Sequence, residues 1–292
     1  MLLDLLLSIK NQRDFLKHAE CEVIIVDNDP ERSAIRLIEQ ERDQFPFPIK
    51  LSHLATPSVA IARNQALSLS SGAFIFLVDD DQWLKENWLE RMAATLSRQP
   101  NRVGGVVSCL EAKFESPLAW PLRKAKVFHR QRFTTGTILP LKGCRTGGVL
   151  LRRAVVESVT PPFESRLGTV GSEDVEFYSK AMSKGWDFAA YDEIPIVERY
   201  APERCNFHFV RLSNIKIGYG RAARLKLEGS TAQLWRLALQ STLRWGCGLF
   251  IAIPTSVLLP VVALWAFEHS LRGWGALVGC LGSSRQFYGK TS

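Results

Sequence analysis

Two short apolar runs constrain this chain most, because both stop abruptly at carboxylates. Val23-Ile24-Ile25-Val26 closes on Asp27, and Phe74-Ile75-Phe76-Leu77-Val78 closes on Asp79-Asp80-Asp81. Short, uncharged, aliphatic and aromatic runs suit strands buried on both faces of a sheet. Helical patterns surround them. Leu2 to Leu16 reads as one helix, and Asp29-Pro30 predicts an N-cap and first helical position for a helix to about Glu41. Ile49–Leu54 alternates as a strand, and Val59–Leu69 is helical with Gly72 as its stop. Leu84, Trp88, Met92 and Leu96 recur every fourth residue, which predicts a helix starting near Trp83. The alternation predicts an α/β fold, doubly wound, with a mostly parallel central sheet and flanking helices. In such sheets ligands bind outside the carboxyl ends of the strands, where both acidic runs fall.

The remaining elements are fainter. Val103–Cys109 and Gly147–Leu151 read as strands, and Ser172 predicts the cap of a helix through Met182, ended by Gly185. With 292 residues, 46% of them hydrophobic, the chain can bury one large α/β core and carry an appendage. The expected division is residues 1–110 as a nucleotide-sugar-binding half, 111–205 as an acceptor-binding half with the catalytic base, and 206–292 as a basic helix and apolar tail.

The net charge of +8 favours anionic partners. Nucleic acid is excluded, since no basic cluster with interleaved aromatics and no nucleic-acid-reading motif is present. The six cysteines stand far apart, without a Cys-x-x-Cys pair, and read as free thiols in a reducing compartment.

Asp79, Asp80 and Asp81 carry the strongest chemical signal. Three adjacent carboxylates repel one another, and a divalent cation relieves them; a solvated turn with one Asp capping the next helix is the other reading. Asp27 ends the earlier strand on the same sheet edge, or it simply belongs to an Asx turn before a helix. Arg63, in Ala60-Ile61-Ala62-Arg63-Asn64, is flanked by small apolar residues and is expected to point inward. Glu173 and Asp174 open a helix, where acids complement the macrodipole but can equally serve as a general base.

Together Val26-Asp27-Asn28, Ala62-Arg63-Asn64, Val78-Asp79-Asp80-Asp81, Thr146-Gly147-Gly148 and Gly171-Ser172-Glu173-Asp174 stand in the order seen in glycosyltransferase family 2, which this chain resembles over roughly residues 1–225. With Glu198 in Ile196-Val197-Glu198-Arg199, it is also similar to glucosyltransferases of succinoglycan-type exopolysaccharide assembly. The resemblance implies a GT-A fold, an inverting reaction, a nucleotide-sugar donor and a carbohydrate or lipid-linked acceptor. It implies that Asp27 and Arg63 hold the uracil end of the donor and that Asp79 meets the ribose within the Asp79-Asp80-Asp81 motif. It further implies that Asp81 holds Mg2+ or Mn2+, and that Asp174 is the base, supported by Glu173. His208 and Glu198 are further metal-ligand candidates left outside that set.

Members of that family open with a strand and a short loop that floor the nucleotide pocket, and this chain begins at the helix that follows. The expectation is a vacant slot between Val23–Val26 and Phe74–Val78. Buried unpaired backbone groups there would cost roughly 1–3 kcal/mol each, so either the coding start lies upstream of Met1, the neighbours close up, or another segment fills the slot.

The tail adds a last expectation. Gly246–Phe267 carries no charge and reaches the roughly 20 residues needed to span a bilayer, but Pro254 and Pro260 interrupt it and Arg244 and Arg272 flank it on both sides. Asn206–Leu227 reads as a basic helix bearing Arg211, Lys216, Arg221, Arg224 and Lys226. These features predict a cytoplasmic protein held at the inner membrane face by a re-entrant or interfacial tail. A buried helix pair closing the domain is the competing reading.

Overall fold

The computed structural model describes residues 1–255 and 259–282. In chain order the first elements are α1 (Leu2–Lys10), α2 (Arg13–His18), β1 (Val23–Asp27), α3 (Ser33–Glu41), β2 (Ile49–His53) and α4 (Val59–Leu69). Next come β3 (Phe74–Leu77), β4 (Gln82–Trp83), α5 (Trp88–Ser97), β5 (Val103–Phe114), α6 (Trp120–Lys124), β6 (Val149–Arg152) and α7 (Arg153–Ser158). The chain finishes with α8 (Glu173–Ser183), β7 (Asp187–Tyr200), α9 (Phe207–Leu227), α10 (Thr231–Thr255) and α11 (Pro260–Cys280). It divides into two units: residues 1–113, 130–165 and 173–199 form one, and residues 114–129, 166–172 and 200–292 the other.

The first unit holds the sheets. β1 and β2 pair in parallel, Val23 opposite Ile49 through Asp27 opposite His53. The remaining strands form a five-stranded sheet in the order β3-β6-β5-β7-β4. Its β3–β6, β5–β6 and β4–β7 ladders are antiparallel. β5 and β7 run side by side in the same direction, Asp187 N donating to the Arg102 carbonyl and Glu115 N to the Tyr200 carbonyl, so the sheet expected to be mostly parallel is mixed. β1 and β3 lie in different sheets and each has one strand partner. The expected slot between them has therefore neither closed up nor been filled by another strand among the described residues.

Alternate residues of the larger sheet feed opposite cores, as the two-residue side-chain period requires. Val106, Leu150, Ala189 and Tyr191 join Leu6, Ile38, Trp88, Met92 and Leu96 on one face. Val107, Val149, Leu151, Phe188 and Ala190 join Ala60, Val155, Phe163, Phe177 and Tyr178 on the other. Helices therefore cover both faces, which is why the strand runs lack polar residues.

Three boundaries differ from the sequence expectation, each for a local reason. Leu2–Leu16 is two helices because Gln12, 2% exposed, is drawn inward: its Nε2 donates to the Lys85 carbonyl at 2.8 Å and its Oε1 accepts from Leu89 N at 3.0 Å. That amide caps α5 and stops α1. The helix expected from Asp29 starts at Ser33, where Asp27 accepts Ile35 N at 3.1 Å and Asp29 bonds Ser33. The helix expected near Trp83 starts at Trp88, since Gln82 and Trp83 pair as β4 with Glu198 and Val197.

The second unit is largely helical. Asn206 caps α9 by accepting Phe209 N at 2.9 Å. α10 and α11 run antiparallel, with the Leu234 carbonyl beside Cys280, Ser241 beside Gly273 and Gly248 beside Ala266. α9 meets α11 at Gly218 and Gly275, where an added Cβ would come within 2.0 Å of the Arg272 and Ile215 carbonyl oxygens. Backbones this close admit only glycine. Among the described residues no helix is long and apolar enough to cross a membrane. The expected apolar run Gly246–Phe267 includes positions 256–258, outside the described residues, and the helices on either side of it carry Arg236, Arg244, Glu268 and Arg272. All six cysteines are unpaired, and burial pushes the Cys109 and Cys144 thiols up to about 12.

Candidate active site

The site is built on the ends of β3 and β7 and on the first turns of α4 and α8, all within the first unit. Ser58 caps α4 by accepting Ile61 N at 3.4 Å. One turn later, Asn64 exchanges two hydrogen bonds with Phe163: its Nδ2 donates to the Phe163 carbonyl at 2.7 Å, and its Oδ1 accepts Phe163 N at 3.0 Å. This fixes the Phe163 ring under Arg63, whose guanidinium carbon lies 5.5 Å from the ring centroid.

Arg63 joins the two acidic motifs. Its Nη2 donates to Asp79 Oδ1 at 3.2 Å and its Nη1 to Glu173 Oε1 at 2.7 Å. The Arg63 side chain is 16% exposed and that of Glu173 6%, so this half of the bridge is shielded from water, while Asp79 is 45% exposed and faces solvent. Burial works against the Arg63 charge, but Asp79, Glu173 and Asp174 outweigh it and raise the guanidinium above its ordinary value. Asp174 therefore shares the electrostatic neighbourhood, and its Oδ1 accepts the N–H of Val175 at 2.7 Å. Gly171 and Ser172, with φ of 90° and 78°, turn the chain sharply into α8. Behind that helix Phe163 packs tilted on Phe177, Phe177, Tyr178 and Phe188 meet edge to face, and Tyr178 Oη donates to the Arg145 carbonyl at 2.6 Å.

Breaking this bridge has a measurable consequence. Arg63→Met takes the guanidinium away from buried Glu173 and from Asp79, a change worth about 3 kcal/mol. A urea titration should show that loss, and Glu173→Gln in the same background should recover much of it. Equal stability of wild type and Arg63→Met would mean the bridge is not formed in solution.

The three aspartates have different surroundings. Asp80 is exposed and Asp81 is 8% exposed, its carbonyl accepting Arg199 N at 2.8 Å. Asp79 N donates to Gln82 Oε1 at 3.2 Å. Gly147 presses on both: a Cβ there would lie 2.6 Å from Asp79 Oδ2 and 2.7 Å from Gln82 Nε2. The β4–β7 ladder sets Glu198 opposite Gln82, bringing it next to the acidic turn. Gln82, Gly147 and Asn64 had no role in the sequence expectation. Only the contacts show it, although all three lie inside or beside the motifs.

Asp27 is placed differently. It is 5% exposed at the end of β1, and its carboxylate accepts the N–H groups of Asp29 at 2.9 Å and Ile35 at 3.1 Å. The Asx turn and the helix cap are thus both real, and no bond links Asp27 to Arg63 or Asp79. His208 stands exposed in the first turn of α9, in the second unit.

Among the described residues no three His, Cys, Asp or Glu side chains gather as a metal cage. The carboxylate donors still suit Mg2+ or Mn2+, which bind through one or two protein carboxylates and complete their shells with phosphate oxygens and water. Buried Asp81 would hold the ion, with Asp79 and Asp80 beside it.

The model of glycosyl transferase family 2 matches residues 1–159. The chain is 29% identical to the succinoglycan biosynthesis protein ExoM of Rhizobium meliloti, over 91% of this chain and 84% of that protein. Two of the solved structures that share its fold hold nucleotide sugars. One is the mannosyltransferase PcManGT of Pyrobaculum calidifontis in complex with GDP-Man and Mn2+ (TM-score 0.57, 15% identity, 94% of this chain and 83% of that one). The other is S. aureus TarS 1-349 in complex with UDP-GlcNAc (TM-score 0.52, 18% identity, 94% and 86%).

Proposed function

The chain belongs to glycosyl transferase family 2 and has the GT-A fold, and from that premise we propose that it transfers a hexose from a nucleotide diphosphate, UDP first among them, to a carbohydrate or lipid-linked acceptor, with inversion. The relative in succinoglycan biosynthesis points to exopolysaccharide synthesis as the setting. One observation carries the reading: a single buried arginine ties the strand-end acid Asp79 to the acid-rich first turn of α8. Two carboxylate clusters far apart in sequence are thereby held as one site, and glycosyl transfer needs two.

On this reading Asp79, Asp80 and Asp81 face the donor's ribose and diphosphate. Residues 1–110 then act as the donor half and 111–205 as the acceptor half. Asp81 would hold Mg2+ or Mn2+, which supplies positive charge where the leaving diphosphate becomes more negative. Asp27 keeps lone pairs beyond the two used by backbone amides and marks the nucleobase end. Arg63 acts mainly through Asp79 and Glu173. Asp174 takes the proton from the acceptor hydroxyl as its oxygen bonds to the anomeric carbon and the carbon–diphosphate bond breaks. Attack opposite the leaving group inverts the configuration.

Incubating the full chain with Mn2+, a panel of nucleotide sugars and oligosaccharide acceptors, and measuring nucleotide release, tests the reaction. Release from none of them, with either Mg2+ or Mn2+, sinks the proposal. Tight donor binding without release would instead favour an inactive transferase-like binding protein, the reading that the separated β1 and β3 support.

Gly147→Ala offers a finer check. The atoms its Cβ would strike are the free ends of the Asp79 and Gln82 side chains, so the fold should survive while Asp79 is displaced. A shift of about 1 Å in a positioned group lowers catalytic efficiency by about 10²-fold. Unchanged nucleotide-release kinetics in that variant would separate Asp79 from the donor.

A further inference from the structure

α10 turns an apolar face away from the protein. Trp235, Leu239, Leu243, Phe250 and Ile253 are 78%, 65%, 60%, 81% and 69% exposed. At 3.6 residues per turn they fall within an arc of about 80°, forming one stripe roughly 27 Å long. This is not the core-facing side, which is marked by buried Leu237, Ser241, Gly248 and Ala252. Gly248 packs against Ala266 and Ser270 of α11 there, and Ser270 Oγ donates to the Trp245 carbonyl at 3.0 Å. A contiguous exposed stripe of this kind marks an interaction surface.

The charges of α10 are one-sided, with Arg236 at the stripe's edge and Arg244 farther round toward α11. α10 contains no Asp or Glu, and its Arg236 and Arg244 are exposed. Arg221 of α9 lies close enough to Arg244 and Arg224 that, after burial, their repulsion pulls its guanidinium down. Arg221, Arg236 and Arg244 have no carboxylate partner among the described residues. A second copy of this chain would meet the stripe with another acid-free, arginine-bearing helix, so like charges oppose self-docking. No described helix is long and apolar enough to cross a membrane, yet a narrow stripe beside unneutralised guanidiniums fits a lipid surface lying along it.

We propose that α10 is an interfacial docking helix: its Trp235–Ile253 stripe enters the headgroup boundary of an anionic bilayer, and Arg221, Arg236 and Arg244 meet the lipid phosphates. An anionic leaflet such as the cytoplasmic one supplies that chemistry. The proposal is independent of the sugar donor and acceptor.

Cosedimentation of the full chain with vesicles tests it. Vesicles of phosphatidylcholine mixed with phosphatidylglycerol should bind the chain at least ~10-fold better than phosphatidylcholine alone, and high salt should abolish the difference. A Trp235→Ser, Leu243→Ser, Phe250→Ser variant should lose binding by ~10-fold or more, with an unchanged circular dichroism spectrum and thermal midpoint showing that it folds. Arg236→Gln with Arg244→Gln should lower binding to anionic vesicles only. Equal binding to both lipids, no binding to either, or wild-type binding by the triple variant overturns the proposal. So does a concentration-dependent dimer in sedimentation velocity that the triple variant abolishes, since a second copy would then be the occupant.

Discussion

Replacing Asp81 by Asn is expected to lower metal-supported sugar transfer by about 10³-fold. A cation that stabilises a departing diphosphate contributes several kcal/mol to the transition state, and each 1.36 kcal/mol is a factor of ten. The substitution keeps the shape of a side chain only 8% exposed and leaves intact the backbone bond from Arg199 N to the Asp81 carbonyl. Folding should therefore persist, which a urea midpoint checks. The measurement is nucleotide release against Mn2+ concentration. Wild-type turnover in Asp81→Asn at saturating metal would remove Asp81 from the metal site.

Asp174→Asn should reduce kcat by about 10²- to 10⁴-fold while the donor KM stays nearly constant, as loss of a general base requires. Asparagine can accept the Val175 N–H as aspartate does, so the first turn of α8 keeps its geometry. Only proton acceptance is lost. Glu173 is poorly suited to take over, because its Oε1 is bound to Arg63 at 2.7 Å in a shielded position. Normal kcat in the variant would mean that another group receives the acceptor proton.

Much of this arrangement was legible before any coordinates. β1, β3 and α4 were readable because their apolar periods are clean, and β2, α8 and α9 more faintly, from a weak alternation, a Ser–Gly bracket and a basic helical pattern. Asp79 and Glu173 were singled out through motifs. Their connection through Arg63 was not readable, because an ion pair across 110 positions leaves no spacing in the sequence. Gln12, Gln82 and Asn64 were missed for a related reason: a buried amide is recognised by the groups it meets, and those are distant in the chain. The α3 start was placed too early because Asp27 and Asp29 both serve one helix end, a sharing that spacing alone does not show. The antiparallel ladders of β3, β6 and β4 were not readable, because buried antiparallel strands covered by helices on both faces look in sequence like parallel ones.

The arginine that spans both acidic clusters also makes them thermodynamically dependent on each other. On the proposed reading, a cation and diphosphate arriving beside Asp79 compete with Arg63 for its carboxylate. As that hold loosens, the guanidinium is released toward Glu173, and the turn carrying Asp174 feels the change. Linkage is reciprocal, so a donor that alters acceptor affinity must have its own affinity altered by the acceptor by the same factor. Donor affinity measured with and without acceptor, and acceptor affinity with and without donor, should then change by the same factor. A variant with Arg63 removed should bind its two substrates independently.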